Sequence, residues 1–272
     1  MPQSIASLSV REAEFLAGLA SQNKSIFTSG DAQKHWGNRS ATDVALHRLV
    51  AAGWLVRLEP GTYLIVPLEA GTHRDWTAEA MVIAPYLIQP SAVAYWSALH
   101  YWQLTEQVPR TTFVQSTKRK RPSEKTIKGM RFRFVTVTEA KFFGTVTRTV
   151  GGRPFQVTDR EKTLIDAADR PDLSGGIVQL AQALTITDGA NWQRLSEYLL
   201  RWPVHSARKR LGFLLEVLDI PLPAPILSDW QEDLRSGVVN LEPGLSSGSG
   251  RIVTRWQVRL NVDGPWGDGG GA

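Results

Sequence analysis

The sequence predicts an α+β protein with more than one domain. Helical patterns and a tight hairpin occupy the first 66 residues, short strand-like runs follow between residues 110 and 157, and helical patterns return up to residue 218. At 272 residues with 42% hydrophobic content, the chain is long enough to bury two cores. We therefore predict a small N-terminal domain, then a larger mixed domain of short antiparallel strands with a C-terminal helical part.

Three short helices are predicted at the start of the chain from their end signals. The first begins at a capping box, Ser9-Val-Arg-Glu12, whose hydroxyl and carboxylate accept hydrogen bonds from backbone N–H groups. The second covers residues 29–36 and ends at Gly37. The third runs from Ser40 to Ala52, with Asn38 supplying cap chemistry.

The third helix is predicted to have one inward and one outward face. Successive side chains in a helix are rotated by about 100°, so residues three or four apart share a face. The inward face is expected to hold Ala41, Ala45, Leu49 and Ala52. The outward face is expected to hold Ser40, Asp43, Val44 and His47. Small inward side chains let the helix pack closely, which leaves the outward face free to enter a groove.

A hairpin follows the third helix. After Gly53 the side chains alternate, with Arg57 on the polar side, and Pro60-Gly61 turns the chain back into residues 62–66. Three helices followed by a hairpin are typical of a winged helix-turn-helix, in which one helix enters the major groove of DNA. We interpret the segment as DNA-binding, with a packing module or a protein-binding winged helix as the alternatives.

A second basic feature lies further along the chain. The net charge of +5 is uneven: residues 111–155 contain eleven basic and two acidic residues, a net of +9. The run Lys118-Arg-Lys-Arg121 lies in a loop, residues 117–128, between two strand-like runs. Cations that neutralise phosphates release counterions, so this basic loop is a candidate second DNA contact. A solvated loop and a nuclear-import signal are the alternatives.

The residues expected to contact DNA come from the second helix, the third helix, the wing and the basic loop. They are Lys34, Arg39, Ser40, Thr42, Asp43, His47, Arg48, Arg57, Thr62, Lys118, Arg119, Lys120 and Arg121.

The remaining composition argues against several other classes of protein. No cysteine is present, which rules out disulfides and thiolate metal sites. No run approaches the ~20 apolar residues needed to span a bilayer, and the first residues lack a signal-peptide pattern, so we expect a cytoplasmic protein without a membrane partner. The five histidines lack metal-site spacing and no phosphate-binding glycine loop occurs. We expect no metal, no cofactor and no catalytic residues.

The predicted domains are residues 1–68 and 69–263, joined through a Pro/Gly-containing connector at 67–73, with residues 264–272 as a disordered Gly-rich tail. Within the larger domain we predict helices at 75–88, 91–102, 158–168, 176–184, 192–202 and 206–218, and strands at 110–116, 130–137, 143–150, 153–157 and 251–262. Gly151-Gly152 is expected as a hairpin turn and Ser246–Gly250 as a flexible one.

Three local features of the larger domain receive structural interpretations. Thr158 and Glu161 are expected to form a capping box. The aromatic side chains of Tyr95, Trp96, Tyr101 and Trp102 are assigned to the core rather than to base stacking. A leucine stripe at residues 211, 214, 215 and 218 is assigned to packing, and Arg208, Lys209 and Arg210 are assigned to the surface.

Several collinear segments resemble the AbiEi-type antitoxin and transcriptional-regulator family of bacterial type IV toxin-antitoxin systems. They are the wing Leu58-Glu-Pro-Gly-Thr-Tyr63, residues 97–109, Asp159-Arg-Glu-Lys-Thr-Leu-Ile-Asp166 with Arg170-Pro171 and Gly175-Gly176, and Arg210-Leu-Gly-Phe-Leu-Leu-Glu216. The resemblance implies a repressor that binds inverted repeats of double-stranded DNA in its own operon's promoter. It also implies an antitoxin that counteracts a nucleotidyltransferase-like toxin without forming a stable complex with it, in defence against phage by abortive infection.

An enzymatic alternative is a nuclease-like, DNA-processing protein targeted by the winged helix. Glu139-Ala-Lys141 matches half of a restriction-type nuclease site. Such a site needs an upstream acidic residue to hold a metal. No aspartate occurs between Asp75 and Asp159, and Glu124 lies in the basic loop. The sequence therefore favours a protein that is not an enzyme.

Overall fold

The computed structural model describes residues 8–66, 80–150, 152–187, 190–232, 234–245 and 250–266. The chain divides into two compact units, residues 1–87 with 126–130 and residues 88–125 with 131–272. Several predicted features lie outside the described residues: the connector at 67–73, Gly151, residues 246–249 of the flexible turn and residues 267–272 of the tail. The disordered tail predicted from residue 264 is wrong at its start, because Trp266 is buried in the core. The α+β class is confirmed, with an N-terminal helix-strand region, a larger sheet-containing domain and C-terminal helices.

The N-terminal unit has the element order of a winged helix. Its helices are α1 (Val10–Ser21), α2 (Ser29–Trp36), α3 (Arg39–Ala51) and α4 (Ala80–Leu87), and its strands are β1 (Ile26–Thr28), β2 (Leu55–Glu59) and β3 (Thr62–Ile65). The strands form one sheet in the order β1-β3-β2. Strand β1, which the sequence pattern did not predict, pairs antiparallel with β3, Ile26 opposite Leu64. Three residues are too few to show an alternating pattern.

The helix starts follow from local cap chemistry. The capping box between Ser9 and Glu12 is formed, and a second one that we did not predict starts α2, with Thr28 and Asp31 as its members. Asn38 accepts a hydrogen bond from the Ala41 N–H at 2.8 Å and so caps α3. These bonds explain why the predicted starts are close to the observed ones.

The inward face of α3 differs from the prediction. The buried residues are Thr42, Ala45, Leu46 and Leu49, whereas Ala41 is only partly buried. Leu46 is as deeply buried as Leu49, at 1% exposed, so the inward face is centred between the predicted residues and Leu46 and includes Thr42. The predicted outward residues Ser40, Asp43, Val44 and His47 are all exposed.

Aromatic rings hold the N-terminal helices on the sheet. Phe15 of α1 lies 5.2 Å from Phe27 of β1 and 4.5 Å from Trp36 of α2, measured between ring centroids, both in edge-on geometry. Such pairs add to the stabilisation that burial of the rings supplies. The core therefore fixes α1, β1 and α2 to one another.

The larger sheet has six strands in the order β6-β7-β5-β4-β9-β8. They are β4 (Ala92–Val93), β5 (Thr111–Ser116), β6 (Glu124–Ile127), β7 (Met130–Thr136), β8 (Thr145–Val150) and β9 (Arg153–Thr158). The expected antiparallel arrangement holds for β4–β5 and β8–β9, but β5–β7 and β4–β9 are parallel, so the sheet is mixed. The basic loop and β6 return the chain to the end of the sheet where β5 began, which makes β7 parallel to β5.

Two helices were predicted before β5. Of the one predicted at 75–88, residues 75–79 lie outside the described residues, and residues 80–87 form α4. The predicted helix at 91–102 begins only at Tyr95, as α5 (Tyr95–Tyr101), because Ala92 and Val93 pair with β5 and β9 instead. Tyr95 is buried, whereas Trp96, Tyr101 and Trp102 are partly buried, in keeping with a packing role.

The helical part packs around one apolar core. Its helices are α6 (Arg160–Asp169), α7 (Ile177–Ile186), α8 (Trp192–Arg201), α9 (His205–Val217) and α10 (Ala224–Glu232). Helix α10 was not predicted, although its Trp230 is fully buried. Gly212 lies in the middle of α9 because the ring of Trp256 packs directly on the backbone there, where a Cβ would clash.

The strand predicted at 251–262 is wrong as one continuous element. Short strands β11 (Ile252–Val253) and β12 (Val258–Arg259) are separated by a turn in which Gln257 has a φ of 53°. Strand β12 also pairs in parallel with β10 (Val239–Asn240). The alternating pattern of residues 251–262 therefore covers two strands of a small three-stranded sheet and the turn between them.

The predicted capping box of α6 is also wrong. Asp159 is the cap, with its carboxylate accepting from the Lys162 N–H at 2.8 Å, and Thr158 ends β9. The carboxylate of Glu161 is buried and accepts a hydrogen bond from the Asn191 N–H at 2.9 Å, 30 residues further on. Glu161 thus joins α6 to the start of α8 instead of closing its own helix.

Candidate nucleic-acid interface

The outward face of α3 presents a mixed set of polar, charged and apolar side chains. Its exposed residues are Arg39, Ser40, Asp43, Val44, His47, Arg48 and Ala51. Arg39 and Asp43 lie 3.9 Å apart, and their side chains are 89% and 65% exposed. An ion pair this exposed holds its partners only weakly, so both side chains are available to base edges or phosphates.

Thr42 does not belong to this face. The residue is 2% exposed, and its hydroxyl donates a hydrogen bond to the Asn38 carbonyl at 2.7 Å. Its position in the first turn of α3 predicted a DNA contact, but it packs inward beside Ala45 and Leu46. The prediction for Thr42 is therefore wrong, because burial removes its hydroxyl from any groove.

Arg48 has a partner within the protein. Its Nε donates to the Glu12 carboxylate at 2.8 Å, and a second guanidinium nitrogen bonds the same carboxylate. Glu12 is 4% exposed at its side chain and also accepts from the N–H and hydroxyl of Ser9, each at 2.8 Å. Burial alone would raise the pKa of Glu12, but the hydrogen bonds from Arg48 and Ser9 outweigh it and lower that pKa. The pair ties α3 to the start of α1.

A second polar link joins α1 to α2. Arg11 donates to the His35 carbonyl at 2.9 Å, and the His35 ring Nε2 lies 3.0 Å from the Arg11 carbonyl, to which it donates. Sequence reasoning missed this link and the Glu12–Arg48 pair. The partners are 24 and 36 residues apart, so no local pattern relates them.

The remaining N-terminal candidates lie on α2 and on the hairpin. Lys34 in the last turn of α2 and Arg57 on β2 are exposed, and Thr62 at the start of β3 is partly buried. The turn between the strands is attached to α2, because the Gly61 carbonyl accepts from the Ser29 N–H at 2.8 Å. The wing therefore has a fixed position relative to α2.

The four cations of the basic loop are not equivalent. Lys118, Arg119 and Arg121 are exposed, whereas Lys120 is partly buried with its Nζ 5.2 Å from the centroid of the Phe134 ring. A cation above an aromatic face is attracted to it, so this contact holds the Lys120 side chain. Three of the four predicted loop residues are thus directed to solvent.

Two further residues near the loop extend its charge. On β7, Arg131 is exposed, and Arg133 lies 3.9 Å from Glu124. The positive charge of this region therefore continues from the loop onto β7, the strand next to the edge strand β6.

The structure does not assemble the nuclease-like alternative. Residues Glu139–Lys141 form a 3-10 turn, and Lys141 is bonded to Asp169 while lying over the Trp202 ring at 5.0 Å. In the described parts of the chain, no group of three His, Asp or Glu side chains is arranged to hold a metal ion. Lys141 therefore packs on Trp202 and pairs with Asp169, whereas the sequence pattern indicated a lysine of a nuclease site.

A buried ion pair lies in α6, away from solvent. Lys162 and Asp166 are 0% and 2% exposed, and the Lys162 Nζ lies 4.6 Å from the centroid of the Trp202 ring. Burial raises the pKa of Asp166 to about 6, against the lowering effect of Lys162. Because neither side chain reaches the surface, this pair is part of the helical core and is not a candidate site.

The first three helices and the hairpin of the N-terminal unit follow one another in the order of a winged helix. One face of α3 is exposed, and the helices behind it are joined by an ion pair and hydrogen bonds. Among the described residues, no helix has the length and apolar character needed to cross a membrane.

Comparison with known proteins identifies the family that this unit matches. Residues 14–66 match the family model described as "Transcriptional regulator, AbiEi antitoxin". The match extends from α1 to the end of the hairpin, and it confirms the predicted family for this segment. It supports a role as a DNA-binding regulator.

The whole chain is similar in fold to a solved structure. The crystal structure of the RV2827C protein from Mycobacterium tuberculosis aligns over 93% of this chain and 92% of that chain, with a TM-score of 0.62. The two sequences are 17% identical, so the similarity concerns the fold alone. No curated protein matches this chain.

Proposed function

We propose that the protein is a DNA-binding transcriptional repressor that controls its own operon. The observation that carries this proposal is the exposed face of α3, with Ser40, Asp43 and His47, in a segment that matches the AbiEi regulator family. In helix-turn-helix proteins this helix enters the major groove and its N-terminal residues contact base edges. The expected operator is an inverted repeat in the promoter.

The proposal divides the contacts between two kinds of residue. Arg39, Ser40, Asp43 and His47 contact base edges, because they lie on the outward face of α3. Lys34, Arg57, Thr62 and the exposed cations of the basic loop, residues 117–128, contact phosphates. Phosphate contacts position the protein and supply salt-dependent affinity, whereas base contacts supply specificity. Arg48 acts mainly by holding α3 on α1.

We further propose that the protein is the antitoxin of a type IV toxin-antitoxin system that acts against a nucleotidyltransferase-like toxin in abortive infection. DNA binding belongs to residues 1–68, and the antitoxin activity belongs to residues 69–263. The toxin is a functional partner without a stable complex, and the protein acts in the cytoplasm without catalytic residues or a cofactor. The family description of residues 14–66 as a regulator and antitoxin supports this part of the proposal.

The repressor activity is tested by a mobility-shift assay on the DNA upstream of the operon. The full-length protein is expected to bind it specifically and to lose affinity steeply as salt is raised. His47→Ala removes an exposed group that can hydrogen-bond a base, and it is expected to weaken binding by about 1–3 kcal/mol.

Gln22→Ala serves as the matched control, because Gln22 is exposed on the N-terminal unit but lies outside α3. It should bind as the wild type does. Equal operator affinity of His47→Ala and wild type would contradict the assignment of α3, and metal-dependent cleavage of the DNA that Glu139→Ala abolishes would favour the nuclease.

A further inference from the structure

Val44 occupies the centre of the exposed face of α3 and contributes nothing to the core. Its side chain is 66% exposed, while the apolar side chains on the other face of the helix, such as Leu46 and Leu49, are each 1% exposed. Of the large apolar residues in α3, Val44 is the one that the structure leaves in solvent.

Local energetics do not explain a valine at this position. Valine is β-branched, so it has a lower helix propensity than alanine, and an exposed side chain gains no burial in return. A single exposed apolar residue is ordinary on a protein surface. Val44, however, lies at the centre of a face whose other large side chains are charged or polar. An apolar contact with its side chain can therefore come only from a binding partner.

The neighbours of Val44 limit what that partner can be. Ser40 lies one turn before it and His47 one turn after it, on the same strip of the helix. Arg39 and Asp43 are paired across the first turn, and Arg48 is bonded to Glu12. Val44 is therefore an apolar spot bordered by hydrogen-bonding groups.

One apolar group is displayed in the major groove of DNA, the C5-methyl group of thymine. Val44 is the sixth residue of α3, within the first two turns that reach base edges in helix-turn-helix proteins. We propose that Val44 is a specificity-determining residue that contacts a thymine methyl group in each operator half-site. This inference rests on the proposed function and adds the base that one position of the operator must contain.

The test replaces thymine by uracil, which removes only the methyl group and keeps Watson–Crick pairing. The probe is a duplex from the region upstream of the operon that footprinting with the full-length protein defines, with one thymine replaced in each copy. For the wild type, affinity should fall about threefold to fivefold at one position in each half-site, the effect of removing one buried methyl group. The decrease should be the same at low and high salt, because a methyl group releases no counterions on binding.

Two variants complete the experiment. Val44→Ala should bind the unmodified duplex more weakly and should no longer distinguish thymine from uracil at that position. Val10→Ala is the matched control, because Val10 is 77% exposed in the same unit but lies on α1. It should retain the affinity and the uracil effect of the wild type.

The outcomes separate this inference from the proposed function. If the wild type binds the duplex specifically but no thymine is sensitive, or if Val44→Ala keeps the full uracil effect, the role of Val44 is refuted and the repressor stands. If the wild type shows no specific binding, the repressor is refuted and the inference with it. Both variants remove exposed methyl groups from helices, so circular dichroism should show unchanged folding.

Discussion

Helices α3 and α9 use their basic side chains in opposite ways. On α3, the Arg39 side chain is 89% exposed and its pairing is loose. On α9, Arg208, Lys209 and Arg210 are 1%, 2% and 4% exposed. The sequence assigned the α9 cations to the surface, and that assignment is wrong. The difference shows that a run of basic residues does not by itself indicate an interface.

The α9 cations bind backbone carbonyls from distant parts of the chain. The Lys209 Nζ donates to the Arg235 carbonyl and to the Gln257 side-chain oxygen, each at 2.8 Å. Arg210 donates to the carbonyls of Ala168 at 2.8 Å and Asn240 at 3.0 Å. Burial lowers the pKa of both cations, but their donors are satisfied by these carbonyl and side-chain oxygens. They hold α9 to the end of α6 and to the C-terminal strands.

The largest expected effect is on stability, at Arg210. Arg210→Met keeps an apolar stem but removes the donor of the buried Ala168 carbonyl, and an unsatisfied buried polar group costs about 1–3 kcal/mol. We expect a loss of about that size in the free energy of unfolding, measured by urea denaturation.

Lys118→Met is the control, because Lys118 is an exposed cation of the basic loop. It should change stability by no more than about 0.5 kcal/mol. If the two variants were equally stable, the contrast between buried and exposed cations would be refuted.

An intermediate effect is expected at Arg48, which is half exposed and bonded to a buried carboxylate. Arg48→Ala leaves Glu12 without its charged partner, so we expect a lower free energy of unfolding together with weaker operator binding. A double-mutant cycle with Glu12→Gln should show that the two residues are coupled. Additive effects would mean that Arg48 acts on DNA independently of Glu12.

The same pair predicts a direction for acid sensitivity. The pKa of Glu12 is lower in the folded protein than its ordinary value of 4.5. Its contribution to stability is therefore fully present above pH 4.5 and is lost as the pH falls through the folded-state pKa. The Glu12→Gln variant should be less stable than the wild type at neutral pH. The difference in stability between the two proteins should become smaller below pH 4.5, as followed by thermal melting.

The smallest effect is expected for charge reversal in the basic loop. It should change the salt dependence of DNA binding and leave the stability of the protein unchanged. Reversing the charge of Lys118, Arg119 and Arg121 should lower the slope of log affinity against log salt by about 0.9 for each phosphate that the loop no longer neutralises. Lys120, whose side chain is held on Phe134, should contribute less than the other three. The measurement is a mobility-shift titration at several salt concentrations, and an unchanged slope would mean that the loop is a solvated surface loop.

Much of the fold could be predicted from short stretches of sequence. The capping box at Ser9, the Asn38 cap and the left-handed Gly37 that ends α2 were each predicted correctly. Their chemistry involves residues three or four positions apart, and it is therefore visible in a short window. The leucine stripe of α9 was predicted correctly as core at residues 211, 214 and 215 for the same reason.

The features that the sequence did not predict share a different cause. Strand β1 is defined by its pairing with β3, and the parallel pairing of β5 with β7 depends on where the chain returns after the basic loop. Glu161 accepts its hydrogen bond from a residue 30 positions away. Since these partners come together only when the chain has packed, no local pattern could reveal them.

In the candidate site, too, some features follow from residues close in sequence and others depend on packing. The outward position of Ser40, Asp43, Val44 and His47 follows from helical periodicity, and the structure has all four exposed. The burial of Thr42 depends on where Leu46 packs, and the bond between Arg48 and Glu12 joins two helices. The sequence by itself determined the first three helices, the caps at Ser9 and Asn38 and the exposed strip of α3, because those depend on neighbours along the chain. Only the tertiary structure decided which cations remain exposed and which satisfy buried carbonyls, because burial depends on what packs against them.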